Sequence, residues 1–162
     1  MTAAPSAPLR LVLDTNVWLD WLVFADAAIE PLKRARAAGK IEICIDDACA
    51  RELVAVLAYY LGKHTLDADA QSACFHEFQR IARHVETAIA GAAASVLPRC
   101  RDADDQKFLE LARDCGAGYL LTKDRALLVL ARRKVRPPPC RIVTPREFGA
   151  ILASEPVAAV NG

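Results

Sequence analysis

The chain has 162 residues, room for one domain and little room for two. Hydrophobic residues make up 54% and charged residues 25%, which suits a globular protein with a well-buried centre. A formal net charge of +1 excludes a strongly basic nucleic-acid coat, and Asp20 and Asp26 interrupt the apolar run around Trp18–Ala25 well short of the ~20 residues a membrane span requires.

Met1 to Pro8 is rich in Ala and Pro and lacks a basic segment followed by an apolar one, so residues 1–8 are expected to be a disordered lead rather than a signal peptide. Leu9 to Leu13 reads as a short buried strand that stops at Asp14-Thr15-Asn16. Val17 to Phe24 and Ala27 to Ala38 read as helices, the second stopped by Gly39. Ile41 to Ile45 is a second strand, after which Asp46 or Asp47 caps a helix through Glu52 to about Tyr60, ending at Gly62. From Leu66 to Ile89 the spacing of Phe75, Phe78, Ile81, Ala82 and Val85 predicts one helical face. Val96-Leu97-Pro98 is a brief extended piece.

Asp104 opens an amphipathic helix over Phe108, Leu111, Ala112 and Cys115, closed by Gly116. Tyr119 to Thr122 is a strand, and Asp124 starts a helix through Leu130. A stiff connection through Pro137-Pro138-Pro139 leads to the last strand, Arg141 to Val143. Thr144, Pro145 and Glu147 form the capping box of the final helix, and the tail from 153 on is expected to be loose, leaving 9–152 as the folded domain. Strands alternating with helices predict an α/β sandwich on a mainly parallel sheet, whose working site lies beyond the carboxyl ends of the strands.

Four acids map to that edge: Asp14 after the first strand, Glu52 one turn into the helix after the second, Asp105 at a helix start, and Asp124 after the Tyr119–Thr122 strand. Each alone has a structural explanation. Asp14, Asp104 and Asp124 suit helix caps, Asp105 suits a helix dipole, and Glu52 suits a solvated face. Together they are harder to explain by capping. Two carboxylates ~4 Å apart repel by about 4 kcal/mol at an effective dielectric near 20, so a cluster calls for a cation or raised pKa values. All-oxygen ligands select Mg²⁺ or Mn²⁺ over zinc, and such an ion suits phosphodiester hydrolysis. Thr15, Asn16 and Thr122 stand ready to orient a water or a carboxylate. The six cysteines form no C-x-x-C pair, which leaves them as small hydrophobes in a reducing cytoplasm and His64, His76 and His84 without a metal role.

Five ordered segments resemble the PIN-domain family: L-V-L-D-T-N-V-W (Leu11 to Trp18), A-R-E-L-V-A-V-L (Ala50 to Leu57), R-D-A-D-D-Q-K-F-L-E-L-A (Arg101 to Ala112), A-G-Y-L-L-T-K-D-R-A-L-L (Ala117 to Leu128) and R-I-V-T-P-R-E-F (Arg141 to Phe148). They are most similar to the bacterial toxin (VapC-like) branch of toxin–antitoxin pairs. The resemblance implies a three-layer sandwich on a parallel, roughly five-stranded sheet, and Mg²⁺- or Mn²⁺-dependent cleavage of RNA. It also implies an antitoxin partner and a homodimer. By position, Asp14, Glu52, Asp105 and Asp124 take the metal-site roles, with Asn16 supporting Asp14 and with Asp102 beside the third acid. Lys123 and Ala126 depart from the family pattern, and Lys123 is expected either to neutralise Asp124 or to contact phosphate.

Arg99, Arg101, Lys107, Lys123 and Arg125 are candidates for guiding an RNA backbone, against the alternative of ordinary surface charge. The run Arg132-Arg133-Lys134-Arg136 reads first as a solvated turn. Trp18, Trp21 and Phe24 are expected in the core. Two rival functions fit the same acids. A haloacid dehalogenase-like phosphatase would use Asp14 as nucleophile but wants a second Asp where Asn16 stands. A non-catalytic binding module would keep the fold with Lys123 in the cation's place.

Overall fold

The computed structural model describes residues 7–63, 68–86 and 97–154. Most of the proposed lead and of the tail, and the positions of His64, Leu66, Ile89 and Val96, lie outside the described residues. Five strands form one all-parallel sheet: β1 (Leu9–Leu13), β2 (Ile41–Ile45), β3 (Ala82–His84), β4 (Tyr119–Leu121) and β5 (Arg141–Val143), in spatial order β3-β2-β1-β4-β5. Leu11, Val12 and Leu13 of the central strand are buried, as are Ile43, Cys44 and Ile45 beside it. Burial on both faces explains why these strands are mostly apolar, with Arg10 and Glu42 as their charged exceptions.

Seven helices complete the described layers: α1 (Thr15–Leu22), α2 (Glu30–Ala37), α3 (Asp47–Lys63), α4 (Ala68–Ile81), α5 (Gln106–Cys115), α6 (Arg125–Leu128) and α7 (Pro145–Ser154). Helix α5 packs across β1, β2 and β4, while α2 packs on β2 and on α7. The result is the three-layer α/β sandwich expected from the alternation. Trp18, Phe108 and Phe148 are the largest fully buried side chains and anchor it.

Local chemistry sets the element boundaries. Asp46 Oδ1 accepts from the Cys49 amide at 2.9 Å, capping α3, which runs through Gly62. Gly116, at φ +66°, takes the left-handed conformation that closes α5. Thr144 Oγ1 accepts from the Glu147 amide at 3.1 Å, the cap bond of the expected capping box, and its hydroxyl donates to the Glu147 carboxylate at 3.1 Å.

Two expectations are corrected. The helix predicted from Leu66 to Ile89 ends at Ile81, and Ala82–His84 instead pairs with Ile43–Ile45 as the edge strand. The open edge of β2 needs hydrogen-bond partners, and the chain supplies them once Phe78 and Ile81 have filled the core. Phe24 is 49% exposed rather than in the core. Helix α1 begins two residues earlier than predicted, with Asp14 as its N-cap, and Ala25 turns the chain away at φ +48°.

Candidate metal centre

The strand order dictates where a site forms. From β1 the chain moves outward through β2 to β3, then returns to β4 on the opposite side of β1. The crevice at such a switch point, beyond the carboxyl ends of β1 and β4, is where ligands bind in open parallel sheets. Asp14 follows β1 directly, its amide bonded to Leu121 O of β4 at 2.9 Å. Asp124 follows β4 and caps α6, its Oδ1 accepting from the Ala126 amide at 2.8 Å.

Thr122 joins these two acids. Its fully buried hydroxyl donates to Asp14 Oδ2 at 2.7 Å and accepts from the Asp124 amide at 3.0 Å. One side chain thus fixes the Asp14 carboxylate and the Asp124 backbone relative to the sheet. Thr122→Val keeps the shape and removes both bonds. It is expected to cost ~1–3 kcal/mol of stability, read by urea denaturation, with a weaker affinity for divalent metal read by calorimetry.

Asp105 ends a 3-10 turn, Ala103–Asp105, that leads into α5. Gln106 holds this turn in place: its Oε1 accepts from the Cys100 amide at 2.8 Å and its Nε2 donates to Pro98 O at 3.0 Å. Asp102, Asp105 and Asp124 each offer a carboxylate oxygen, and these oxygens all lie within 4.8 Å of one another. Asp102, assigned a supporting place from sequence, therefore stands inside the tightest acidic group among the described residues. Its Oδ1 also accepts from the Asp104 amide.

Glu52 reaches the site from α3 but is already matched. Thr15 Oγ1 donates to its Oε2, and Lys107 Nζ lies 3.1 Å from its Oε1. Lys107 also donates to Asp104 O and sits 5.1 Å from the Phe108 ring centre. This lysine, a candidate RNA contact from sequence, is a counter-charge within the site wall.

Asp14, Thr15, Asn16, Glu52, Asp102, Asp105 and Asp124 line one cleft of about 500 Å³, together with Ala55, Val56 and Tyr59. Asp14 is 4% exposed and Asp105 9%. Burial raises the Asp14 pKa, opposed by the Thr122 hydroxyl and the nearby Asn16 and Thr15 amides, while the Asp124 charge raises it further. Those amides do not close a capping hydrogen bond. Asp105 is pushed up to about 7, first by burial, then by a hydrogen bond to Asp124 open to its protonated form, then by the charges of Asp14, Asp102 and Asp124. When ionised, its buried Oδ2 has no donor.

These observations test whether the residues fit a metal. A buried carboxylate oxygen without a donor, amid like charges, has an electrostatic deficit that a hard cation meets. The donors are all oxygens, which suits Mg²⁺ or Mn²⁺. The residues present fit such an ion.

Lys123 does not pair with Asp124. Its Nζ lies 2.6 Å from Asp20 Oδ2, a buried carboxylate on α1 that the sequence reading did not single out. The pair ties the loop carrying Asp124 to α1. Arg99, Arg101 and Arg125 are exposed, as are all four residues of the Arg132–Arg136 basic run. Tyr59 was also missed, although it lies two helical turns from Glu52, a spacing that places both on one face of α3.

A family model described as PIN domain matches residues 10–126. The solved structure of PAE2754 from Pyrobaculum aerophilum is similar, with a TM-score of 0.58 and 16% identity, covering 91% of each chain. VapBC2 from Rickettsia felis, bound to a DNA fragment from their promoter, gives a TM-score of 0.51 at 14% identity, covering 83% of this chain and 97% of that one. A search of curated proteins found no significant match. At such identities the two structures speak for the fold, and the family model spans well over half of the sequence: this chain belongs to the PIN-domain family.

Proposed function

We propose that this chain is a Mg²⁺- or Mn²⁺-dependent endoribonuclease, the toxin of a toxin–antitoxin pair. The observation that carries the reading is the gathering of the Asp102, Asp105 and Asp124 carboxylates at the β1–β4 crevice, where Asp105 keeps a buried oxygen without a donor. Asp102, Asp105 and Asp124, whose carboxylate oxygens gather most closely, would hold the ion together with Asp14, which lines the same cleft. Once bound, the ion supplies stabilisation of charge on the phosphoryl oxygens. The chain's own residues do the positioning. Thr122 locks Asp14 and the Asp124 backbone, Thr15 and Lys107 hold Glu52, and Asn16 stands exposed at the cleft to orient a polar group of the substrate.

Arg101 and Arg125, exposed like Arg99, would be the cations that meet a phosphate backbone. Lys107 and Lys123 would have to leave Glu52 and Asp20 to join them. The binding-module alternative loses its main support, because Lys123 pairs with Asp20 and does not fill the acidic group. The phosphatase alternative gives way to the PIN-domain match, in keeping with Asn16 where a second Asp would be needed.

The similar VapBC2 structure supports a cognate antitoxin as partner, and we add homodimerisation and a cytoplasmic setting to the proposal. Among the described residues no helix is long and apolar enough to cross a membrane.

The purified chain incubated with RNA oligonucleotides is expected to cut them in Mg²⁺ or Mn²⁺ and to stop when EDTA removes the ion. Cleavage that persists in EDTA, or none in any divalent ion, would reject the proposal.

A further inference from the structure

We propose that Tyr59 is a stacking platform for an unpaired base of the RNA substrate, beside the phosphate to be cut. This rests on the ribonuclease reading and deepens it by adding a base subsite to the acidic one. Residues Glu52, Val56 and Tyr59 follow one another at i, i+4 and i+7 along α3, and all three line the cleft of the metal centre. Glu52 and Tyr59 are separated by about 10 Å along the helix axis, so the ring lies beyond the acids but within the same opening.

The inward face of α3 is fully used: Cys49, Leu53 and Leu57 are buried. Tyr59 is on the other side, 60% exposed, and adds little to that core. What it adds to the cleft is an aromatic face, with Val56 and the small Ala55 as an apolar floor beside it. The acidic end of the cleft repels phosphate unless a cation is present, so affinity for a nucleotide must come partly from contacts that ignore charge. A base supplies such a contact through its π-face, whatever its identity. In an A-form duplex those faces are stacked away, whereas in a single strand they are open to an aromatic side chain.

The test is a set of RNA oligonucleotides of one cleavable sequence, each with an abasic site at one position flanking the cut. For the wild-type chain, one abasic position should raise KM roughly 5- to 100-fold with a smaller change in kcat. Tyr59→Ala should show that loss on the intact RNA and no further loss at that position. Tyr59→Phe should behave as wild type. Melting curves check that the variants fold, as expected for an exposed position.

If RNA is cut but Tyr59→Ala matches wild type, stacking is wrong and the nuclease reading stands. A loss with Tyr59→Phe equal to that with Tyr59→Ala would transfer the role to the hydroxyl and overturn the platform. A change of oligomeric state in Tyr59→Ala, measured by sedimentation, with the abasic effect still present would make the residue part of a protein interface instead. If wild type neither cuts nor binds RNA, both readings fall together.

Discussion

Replacing Asp105 with Asn should lower RNA cleavage by at least ~100-fold and, at pH 8, raise the stability of the metal-free protein by ~1–3 kcal/mol. Both effects have one cause. Asp105 is buried, its Oδ2 has no donor, and Asp14, Asp102 and Asp124 add like charge around it. Without a cation this arrangement opposes folding, and with one it becomes a binding site. Asparagine removes the charge, keeps the volume and brings an NH₂ that can donate to a neighbouring carboxylate. Asp14→Asn should abolish cleavage as fully but stabilise less, because Thr122 and nearby amides already compensate the Asp14 carboxylate. Oligonucleotide cleavage on gels and urea denaturation in EDTA measure the two quantities. Near wild-type cleavage by both variants would remove these acids from the chemistry. Lost cleavage with no gain in stability for Asp105→Asn would mean that its carboxylate is better solvated than its burial implies.

The strands β1, β2, β4 and β5 were legible because they are short apolar runs with sharp stops. The acids at their ends were legible because a strand followed by Asp and a helix is both a capping signal and a site signal. Residue Thr144 shows the same economy, with Pro145 and Glu147 completing its motif. The edge strand Ala82–His84 was not legible. Its apolar spacing continues that of α4, and what makes it a strand is the unpaired edge of β2, which a local window of sequence does not contain. Phe24 left the core for a related reason: the turn at Ala25 decides its direction, and alanine carries no turn signal.

The ion pairs were the least legible part of the site. Sequence placed Lys123 next to Asp124 and Lys107 in the segment of the third acid, so proximity along the chain suggested contact with Asp124 for the first and with RNA phosphate for both. Folding pairs them instead with Asp20 and Glu52, which lie 103 and 55 residues away. A long flexible side chain takes the acid that packing brings within reach, and the buried Asp20 must find a cation or be destabilised. Asp102, given a supporting place from sequence, was easier to read. It reads as a turn residue and is one, and the same turn that it caps delivers it to the acidic group.

The pH dependence should separate a metal site from a chance meeting of acids. Asp105 titrates near 7 in the folded chain against an ordinary value of 3.8. Over that window the folded state binds the proton more tightly than the unfolded state. Stability of the metal-free protein should therefore be highest below about pH 4, fall as pH rises toward 7, and level off above it, by an amount on the order of 2–4 kcal/mol from this group. Other carboxylates with lowered values, such as Glu77 beside Arg80, act in the opposite direction at the acidic end, so the contribution is isolated as the difference from Asp105→Asn. Metal binding has the mirror dependence. An ion competes with the Asp105 proton, so affinity for Mn²⁺ should rise about tenfold per pH unit between 5 and 7, with close to one proton released per ion at the lower pH. Calorimetry in two buffers of different ionisation enthalpy counts that proton. Affinity independent of pH across this window would show that Asp105 does not ligate, whatever the fate of the neighbouring acids.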